Sequence, residues 1–345
     1  FHALRLPRNP PSSFLPGSVP YPYDCSQILE DPGTHWVTTQ SKPAVQMSIH
    51  DPELDVISKR IADFGCWECG LIDNLLESLK EFQYDLPWFL DIGAHIGMWS
   101  LTVAAAGYDV IAMEPMAVHW QRLCQSINKN GNLPIHLYPL AITPHKSTVD
   151  LVVEKKSKHS LGQVVATLQQ RADMSTTGRT ASQSIIRVPG FPLDDVLLDQ
   201  FPLERPLALK IDVTSSSSSS TSTPNQNDNN HHLLDHILAG TASLLAHPRV
   251  KVVWVYMTWH AGMTPKHHPE VKAVLGALTA QGLHPYRQDS SGKETLLNIH
   301  SPETWQHTRY PFVLSLEIIW RPSKHHSEKN HPLHHSMQGA VNPLI

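Results

Sequence analysis

Short apolar segments alternate with amphipathic segments through the middle of the chain, and this alternation restricts the possible folds more than any other feature. Apolar runs that end at glycine or proline predict strands, and longer runs with apolar residues every three or four positions predict helices. The predicted order is a strand at 88–93, a helix at 96–107, a strand at 108–115, a helix at 117–131 and a strand at 134–142. Strands separated by such helices indicate an α/β fold with a doubly wound, mostly parallel sheet and helices on both faces.

The same alternation continues toward the C-terminus. The sequence predicts strands at 206–213, 250–259 and 312–320, and helices at 231–247 and 269–282. Upstream, Asp51 and Pro52 suit the start of a helix, because Leu54 and Ile61 then fall near one helical face. The sequence has no internal repeat, so we expect one domain.

The composition divides the chain into a folded part and two tails. The 345 residues are 41% hydrophobic, which is enough for one large domain with a core. Residues 1–24 are rich in proline and serine and predict a flexible arm, and residues 322–345 predict a disordered, His-rich tail. The predicted domain spans 25–321 and carries a Ser/Asn-rich insertion at 214–230.

Charge and hydropathy exclude several classes of partner. The formal net charge is −4 and there is no basic stripe, so we expect neither nucleic acid nor an anionic membrane as partner. No apolar run approaches 18 residues, so we predict no transmembrane segment. The chain begins at Phe1 rather than methionine, so no targeting signal can be read. We expect a soluble domain and leave its location and oligomeric state open.

Cysteine and histidine give weak indications. Four cysteines are too few for a disulfide scaffold of this length. "CWEC" at 66–69 has the spacing of a redox or zinc motif, but zinc normally needs a second pair of ligands, so we expect ordinary thiols. Of 23 histidines, 15 follow residue 230, and we interpret them as solvated loop and tail residues. We therefore predict no metal site.

A glycine turn after the first predicted strand is the best candidate for a functional site. Asp91, Gly93 and Gly97 form the pattern D-x-G-x-x-x-G between that strand and the next helix. Ligands of doubly wound sheets bind beyond the carboxyl ends of the strands, and glycine lets the backbone turn tightly and approach a ligand. Glu114 ends the second strand, where an acidic side chain can bind ribose hydroxyls.

Two nucleotide cofactors compete for this arrangement. A dinucleotide fingerprint needs G-x-G-x-x-G, whereas the middle glycine position is His95 here. Asp91, directly before the turn, is expected to repel a pyrophosphate and to suit a ligand with ammonium and sulfonium groups. The pattern therefore favours S-adenosylmethionine over NAD.

The central segments resemble the FkbM-type S-adenosylmethionine-dependent methyltransferases. The similarity covers roughly residues 45–320 and includes "FLDIGAHIG", a strand ending "EP", "PLDDVL" at 192–197 and "LKIDV" at 209–213. Two positions depart from the family pattern: His95 replaces an asparagine, and Thr214 with the serine tract replaces a Glu-Gly pair. The resemblance implies a class I methyltransferase fold. It also implies O-methylation of a hydroxyl or carboxyl group on a sugar, glycan or small natural product.

The turn and the resemblance together give a set of expected site residues. The residues expected to bind the cofactor are Glu68, Asp91, Gly93, Ala94, His95, Gly97, Glu114, Pro115 and Ala141.

Catalysis by methyl transfer depends mostly on positioning, and a nearby base helps a hydroxyl acceptor to lose its proton. Asp212 is the first candidate base, Lys210 is a neighbour that could orient it or a carboxylate substrate, and His260 is a second candidate base. Lys210 and Asp212 could instead form a buried ion pair with no catalytic role. Two other functions stay open: a methyltransferase-like binding module that no longer catalyses, and an NAD-dependent oxidoreductase.

Overall fold

The structure of the protein is a computed structural model, which describes residues 20–82, 85–154, 168–169, 183–198, 200–202, 204–212, 228–260, 269–288, 294–298 and 315–322. The described part of the predicted arm is 20–24. The predicted insertion lies outside the described residues except for 228–230, and the predicted tail does so except for Pro322.

The N-terminal part packs on the outside of the central helices. After a 3-10 helix at Cys25–Gln27, it contains β1 (His35–Thr38), β2 (Gln46–Ile49), α1 (Val56–Phe64), α2 (Cys69–Leu79) and a 3-10 helix at Lys80–Phe82. Strands β1 and β2 pair as an antiparallel hairpin. Helix α1 begins later than predicted, because Asp55 caps it by accepting a hydrogen bond from the Ser58 N–H. Leu54 lies outside this helix and is 53% exposed.

The central region follows the predicted alternation closely. It contains β3 (Trp88–Ile92), α3 (Met98–Ala105), β4 (Val110–Met113), α4 (Ala117–Lys129) and β5 (Ile135–Tyr138). All five residues of β3 are buried, as expected for a central parallel strand. Helix α3 is buried over most of its surface, from Met98 to Ala104.

A second, smaller sheet follows the central region. Its elements are β6 (Ala141–Ile142), β7 (Ser147–Glu154), β8 (Leu168–Gln169) and β9 (Gln183–Phe191), followed by α5 (Leu193–Leu197). The strand order is β6-β9-β7-β8. The single strand predicted at 134–142 is therefore wrong in one respect, because β5 and β6 are separate strands in different sheets.

The C-terminal half completes the large sheet. It contains β10 (Leu207–Ile211), α6 (Asp228–Ala246), β11 (Val252–His260), α7 (Pro269–Ala280), β12 (Leu283–Gln288), β13 (Glu294–Leu296) and β14 (Ser315–Pro322). Within the described residues, the large sheet has the order β13-β12-β14-β11-β10-β3-β4-β5. Strands β11, β10, β3, β4 and β5 run parallel, and β14 is antiparallel to β11. This confirms the predicted doubly wound, mostly parallel sheet.

The large sheet separates two hydrophobic cores. Leu90 and Ile92 of β3 pack into one core with residues of α5, α6 and α7, whereas Phe89 packs into the other core with residues of α2, α3 and α4. Successive side chains of a strand point to opposite faces of a sheet. Asp91 therefore belongs to the face that α3 covers. The helices lie on both faces, as the sequence predicts.

Candidate functional site

The candidate site lies at the carboxyl end of β3, where the strand order reverses. From β3 the chain continues to β4 on one side, whereas β10, a strand from much later in the chain, lies on the other side. Ligands of doubly wound sheets bind in the crevice at such a reversal. The turn at residues 93–97 connects β3 to the start of α3 at this point.

Three residues of this turn have left-handed backbone conformations. Gly93 has φ 80°, Gly97 has φ 91°, and His95 has φ 52° without being glycine. A Cβ atom at position 97 would lie 2.3 Å from Cδ1 of Leu123 on α4. Glycine at 97 is therefore required both by its φ and by the close approach of α4.

A buried ion pair supports the turn from below. Lys210 lies beside Asp91 in the parallel register of β10 and β3, and its Nζ donates hydrogen bonds to Asp91 Oδ1 at 2.9 Å and to the Gly93 carbonyl at 3.0 Å. The other oxygen of Asp91 accepts a hydrogen bond from Ser100 Oγ of α3 at 2.6 Å. Asp91 has 0% and Lys210 3% of its surface exposed. These contacts tie β3, β10, the turn and α3 together.

The charge of Lys210 is balanced within the protein. Burial lowers the pKa of Lys210, but the carboxylates of Asp91 and Asp212 outweigh this effect, so its pKa lies above the ordinary lysine value. The buried pair envisaged between Lys210 and Asp212 therefore has Asp91 as the partner that Lys210 hydrogen-bonds. Asp91 is buried and Lys210 balances its charge, so Asp91 does not present a negative charge at the edge of the sheet. The charge argument that set S-adenosylmethionine above a pyrophosphate does not hold.

Glu114 connects the end of β4 to the same turn. Its Oε2 accepts a hydrogen bond from the His95 N–H at 2.9 Å, and its Oε1 accepts one from the Met116 N–H at 2.8 Å. His119 Nδ1 lies 3.4 Å from the same Oε1. Glu114 is 5% exposed. A carboxylate can accept about four hydrogen bonds, so its oxygens retain acceptor capacity beside the turn.

Glu68 approaches the start of α3 from the N-terminal part. It has φ 57°, and its Oε2 accepts a hydrogen bond from Trp99 Nε1 at 2.8 Å. This bond holds Glu68 at the first turn of α3, although Glu68 comes from a segment distant in sequence.

The other predicted residues lie in different settings. Ala94 is buried, and Ala141 is buried in β6 beside Met116 in a small cluster under the second sheet. Pro115 and Asp212 are partly exposed. The Asp212 N–H donates to the Ile92 carbonyl at 3.1 Å, which places Asp212 at the carboxyl edge beside the turn. His260 is the last residue of β11 rather than a residue beyond it, and the structure describes only its backbone.

A cluster of three histidines stands beside the turn and was missed in the sequence. His50 follows β2, His95 lies in the turn, and His119 lies in the first turn of α4. Their candidate ligand atoms all lie within 4.8 Å of one another. The rings of His95 and His119 are 4.0 Å apart between centroids. These positions share no sequence spacing, so only the fold brings them together.

His50 and His95 are neutral near pH 7. Burial, with the nearby His119 and Arg122, lowers the pKa of His50 to about 3. Burial, with His119 and His50, holds the pKa of His95 well below the ordinary histidine value. His50 Nε2 and His95 Nδ1 are buried and have no hydrogen-bond partner among the residues that the structure describes.

The expectation of ordinary thiols is wrong. Cys25 and Cys124 form a disulfide that ties the N-terminal segment to α4, and Cys66 and Cys69 form another at the start of α2. Sequence reasoning missed the first because its partners are 99 residues apart. The disulfide at Cys25 also holds the end of the predicted arm, where the Tyr23 N–H donates to the Leu137 carbonyl at 2.7 Å.

The fold and the site define an α/β protein whose glycine turn lies at the topological switch point, as in nucleotide-cofactor enzymes. Residues 91–213 match the family described as the Methyltransferase FkbM domain. The match begins at the buried aspartate of β3 and ends directly before the Ser/Asn-rich insertion. Among the described residues, no helix is long and apolar enough to cross a membrane.

Outside this match, the chain resembles other proteins only distantly. No curated protein sequence matches the chain. Among solved structures, a SAM-dependent methyltransferase from Agrobacterium tumefaciens is 12% identical, with 86% of this chain and 72% of that chain covered and a TM-score of 0.36. A precorrin-6y C5,15-methyltransferase from Geobacter metallireducens GS-15 is 10% identical, with 75% and 90% covered and a TM-score of 0.31.

Proposed function

We propose that the protein transfers a methyl group from S-adenosylmethionine to an oxygen atom of a sugar, glycan or small natural product. The observation that carries this proposal is the family match over 91–213, which includes the turn at the switch point and the buried pair beneath it. The oxygen acceptor follows from the resemblance to FkbM-type enzymes.

The residues at the carboxyl edge fit a nucleoside cofactor. Glu114 stands at the end of β4 with acceptor capacity left on its carboxylate, which suits ribose hydroxyls. The turn has left-handed residues at 93, 95 and 97, which bring its backbone to the edge of the sheet. We propose that Gly93, Ala94, His95 and Gly97 contact the cofactor through this backbone, with Glu68, Pro115 and Ala141 around it.

S-adenosylmethionine supplies an electrophilic methyl group when it is bound, and the protein supplies positioning. In this proposal Lys210 and Asp91 are positioning residues, because they are buried and hold the Gly93 carbonyl and α3. Asp212 is the proposed base, since it is partly exposed at the edge and its backbone is held beside β3. It would take the proton that a hydroxyl acceptor loses late in the transfer.

Binding and transfer measured separately distinguish the candidate functions. Isothermal titration of the chain with S-adenosylmethionine, with its demethylated product and with NAD tests the cofactor. Transfer of a labelled methyl group to a panel of hydroxylated and carboxylated sugars and natural products tests the reaction, with heat-denatured chain as control. We expect binding of the first two ligands and labelling of at least one acceptor.

The other outcomes point elsewhere. Binding of S-adenosylmethionine without labelling of any acceptor favours the alternative of a binding module, for which the insertion in place of the family's Glu-Gly pair is the supporting observation. Binding of NAD without binding of S-adenosylmethionine contradicts the proposal and favours the oxidoreductase.

A further inference from the structure

We propose that His50, His95 and His119 form a binding site for a transition-metal ion of the zinc class. The three imidazoles come from the end of the β1–β2 hairpin, the β3–α3 turn and the start of α4. One nitrogen of each lies within 4.8 Å of the other two. The inference does not depend on the proposed methyl transfer.

The ligand set matches the chemistry of such an ion. Zinc binds neutral imidazole nitrogen at about 2.0–2.1 Å, and three histidines with an open fourth position are a recurring zinc arrangement. Two nitrogens bound to one tetrahedral ion lie about 3.3 Å apart, so the cluster closes by rotation of the side chains. Imidazole also suits copper, iron and nickel, so the same three ligands could hold one of these ions.

Two ring nitrogens of the cluster are buried without a hydrogen-bond partner among the described residues. His50 Nε2 and His95 Nδ1 are buried, and they have no hydrogen-bond partner in the part of the chain that the structure describes. Leaving a buried polar atom unpaired costs about 1–3 kcal/mol. Coordination of one ion by both atoms removes this cost at His95 Nδ1, whereas at His50 it satisfies Nε2 in exchange for the hydrogen bond that Nδ1 now accepts from Arg122.

A carboxylate stands in the outer shell of the cluster. His119 Nδ1 lies 3.4 Å from Glu114 Oε1, so Glu114 can accept a hydrogen bond from Nδ1–H and leave Nε2 of His119 for the ion. Metal-binding histidines usually donate their second N–H to such a group, which fixes the tautomer and raises ligand basicity. Glu114 is itself held by the N–H groups of His95 and Met116.

Arg122 opposes binding of the ion at His50. Its Nε donates to His50 Nδ1 at 2.9 Å, which places the proton of the neutral ring on Nε2. When Nε2 binds the ion, its proton moves to Nδ1, so the ring releases no proton overall. Arg122 must then move away from Nδ1, because both groups would be donors. Its NH1 already lies 3.2 Å from Ser48 Oγ, which can retain the guanidinium. Arg122 therefore weakens metal binding and supplies a specific test.

The test is a competition titration of the full chain with Zn²⁺ against a chromophoric chelator, with Co²⁺ absorption as a reporter of imidazole ligands. We expect one tight equivalent in the wild-type chain. His95→Asn and His119→Gln should each weaken that equivalent at least ~100-fold, since even outer-shell changes cost about 10–100-fold. Asparagine tolerates the left-handed φ at 95, so this variant keeps the turn.

Two further variants make the test specific. His334→Gln/His335→Gln removes a histidine pair of the C-terminal tail and should leave the tight equivalent unchanged. Arg122→Gln replaces the donor with a side chain whose carbonyl can accept a hydrogen bond from the Nδ1–H of His50. It should tighten binding by about 10-fold. Circular dichroism and the melting temperature without metal check that each variant folds, and His50→Gln replaces any variant that does not.

Four results overturn the proposal. The first three are the absence of a tight equivalent in the wild-type chain, its loss in the tail variant, and its persistence in both His95→Asn and His119→Gln. Weaker binding by a folded Arg122→Gln chain also overturns it, because the proposed proton shift on His50 requires the opposite change.

Discussion

Replacing Lys210 with methionine removes one partner of the buried ion pair and leaves the carboxylate of Asp91 without its cation. The Lys210 Nζ and Asp91 Oδ1 atoms are 2.9 Å apart, with the side chains 4% and 0% exposed. At that distance the attraction is about 6 kcal/mol for an effective dielectric constant near 20. Desolvation of both charges offsets much of it, but removal of one partner still costs about 3–5 kcal/mol, because the remaining charge stays buried.

Urea unfolding at pH 7, followed by circular dichroism, measures this loss. The control is Lys80→Met, which breaks an exposed pair with Glu77 and should not change the free energy of unfolding measurably. The double variant Lys210→Met/Asp91→Asn removes both charges and keeps an acceptor for Ser100. We expect it to recover at least about 2 kcal/mol of the loss. A loss under about 1 kcal/mol in Lys210→Met, or no recovery in the double variant, refutes the reasoning.

The same pair gives a pH signature. The pKa of Lys210 is raised in the folded protein, so its contribution to stability is complete below the unfolded-state pKa of about 10.4. The contribution is lost as the pH rises through the folded-state pKa. Alkaline destabilisation above about pH 10.4 should therefore be steeper in the wild-type chain than in the double variant.

Three other changes test separate parts of the structure. Gly97→Ala should destabilise the fold by about 1–3 kcal/mol, because the new methyl group meets Leu123 and the φ is left-handed. A melting temperature equal to that of the wild-type chain would contradict this. Cys25→Ser should lower the free energy of unfolding by about 4 kcal/mol under oxidising conditions, since the Cys25–Cys124 link closes a loop of about 100 residues; reductant should abolish the difference from wild type. Asp212→Asn should lower kcat about 100-fold or more with S-adenosylmethionine affinity unchanged, and an equal loss of cofactor affinity in titration would argue against a role as base.

The succession of elements could be predicted from the sequence because it depends on local patterns. Apolar runs closed by glycine or proline located β3, α3, β4 and α4 to within a few residues. The hairpin β1–β2 and the strands β12 and β13 were missed, because these short segments depend on pairing with distant partners rather than on their own periodicity.

The site could be predicted only where one segment carries it. The turn at 93–97 and Glu114 follow from one strand-helix-strand unit, and the structure brings them into contact. From the sequence, Lys210 could orient Asp212 or a carboxylate substrate, or form a buried ion pair with Asp212, whereas the parallel register places it beside Asp91. The three histidines of the cluster come from different elements and follow no sequence spacing, so no sequence pattern predicts the cluster.

The ion pair between Lys210 and Asp91 limits the order in which the sheet can be completed during synthesis. Asp91 leaves the ribosome 119 residues before Lys210 does, which at about 5–20 residues per second is a delay of several seconds or more. Strands β3, β4 and β5 and the disulfide between Cys25 and Cys124 need only the N-terminal part of the chain. The carboxylate of Asp91 acquires its cation only when β10 is added on the other side of β3. A nascent chain that stops before β10 therefore exposes the unpaired edge of β3 and a carboxylate without its cation.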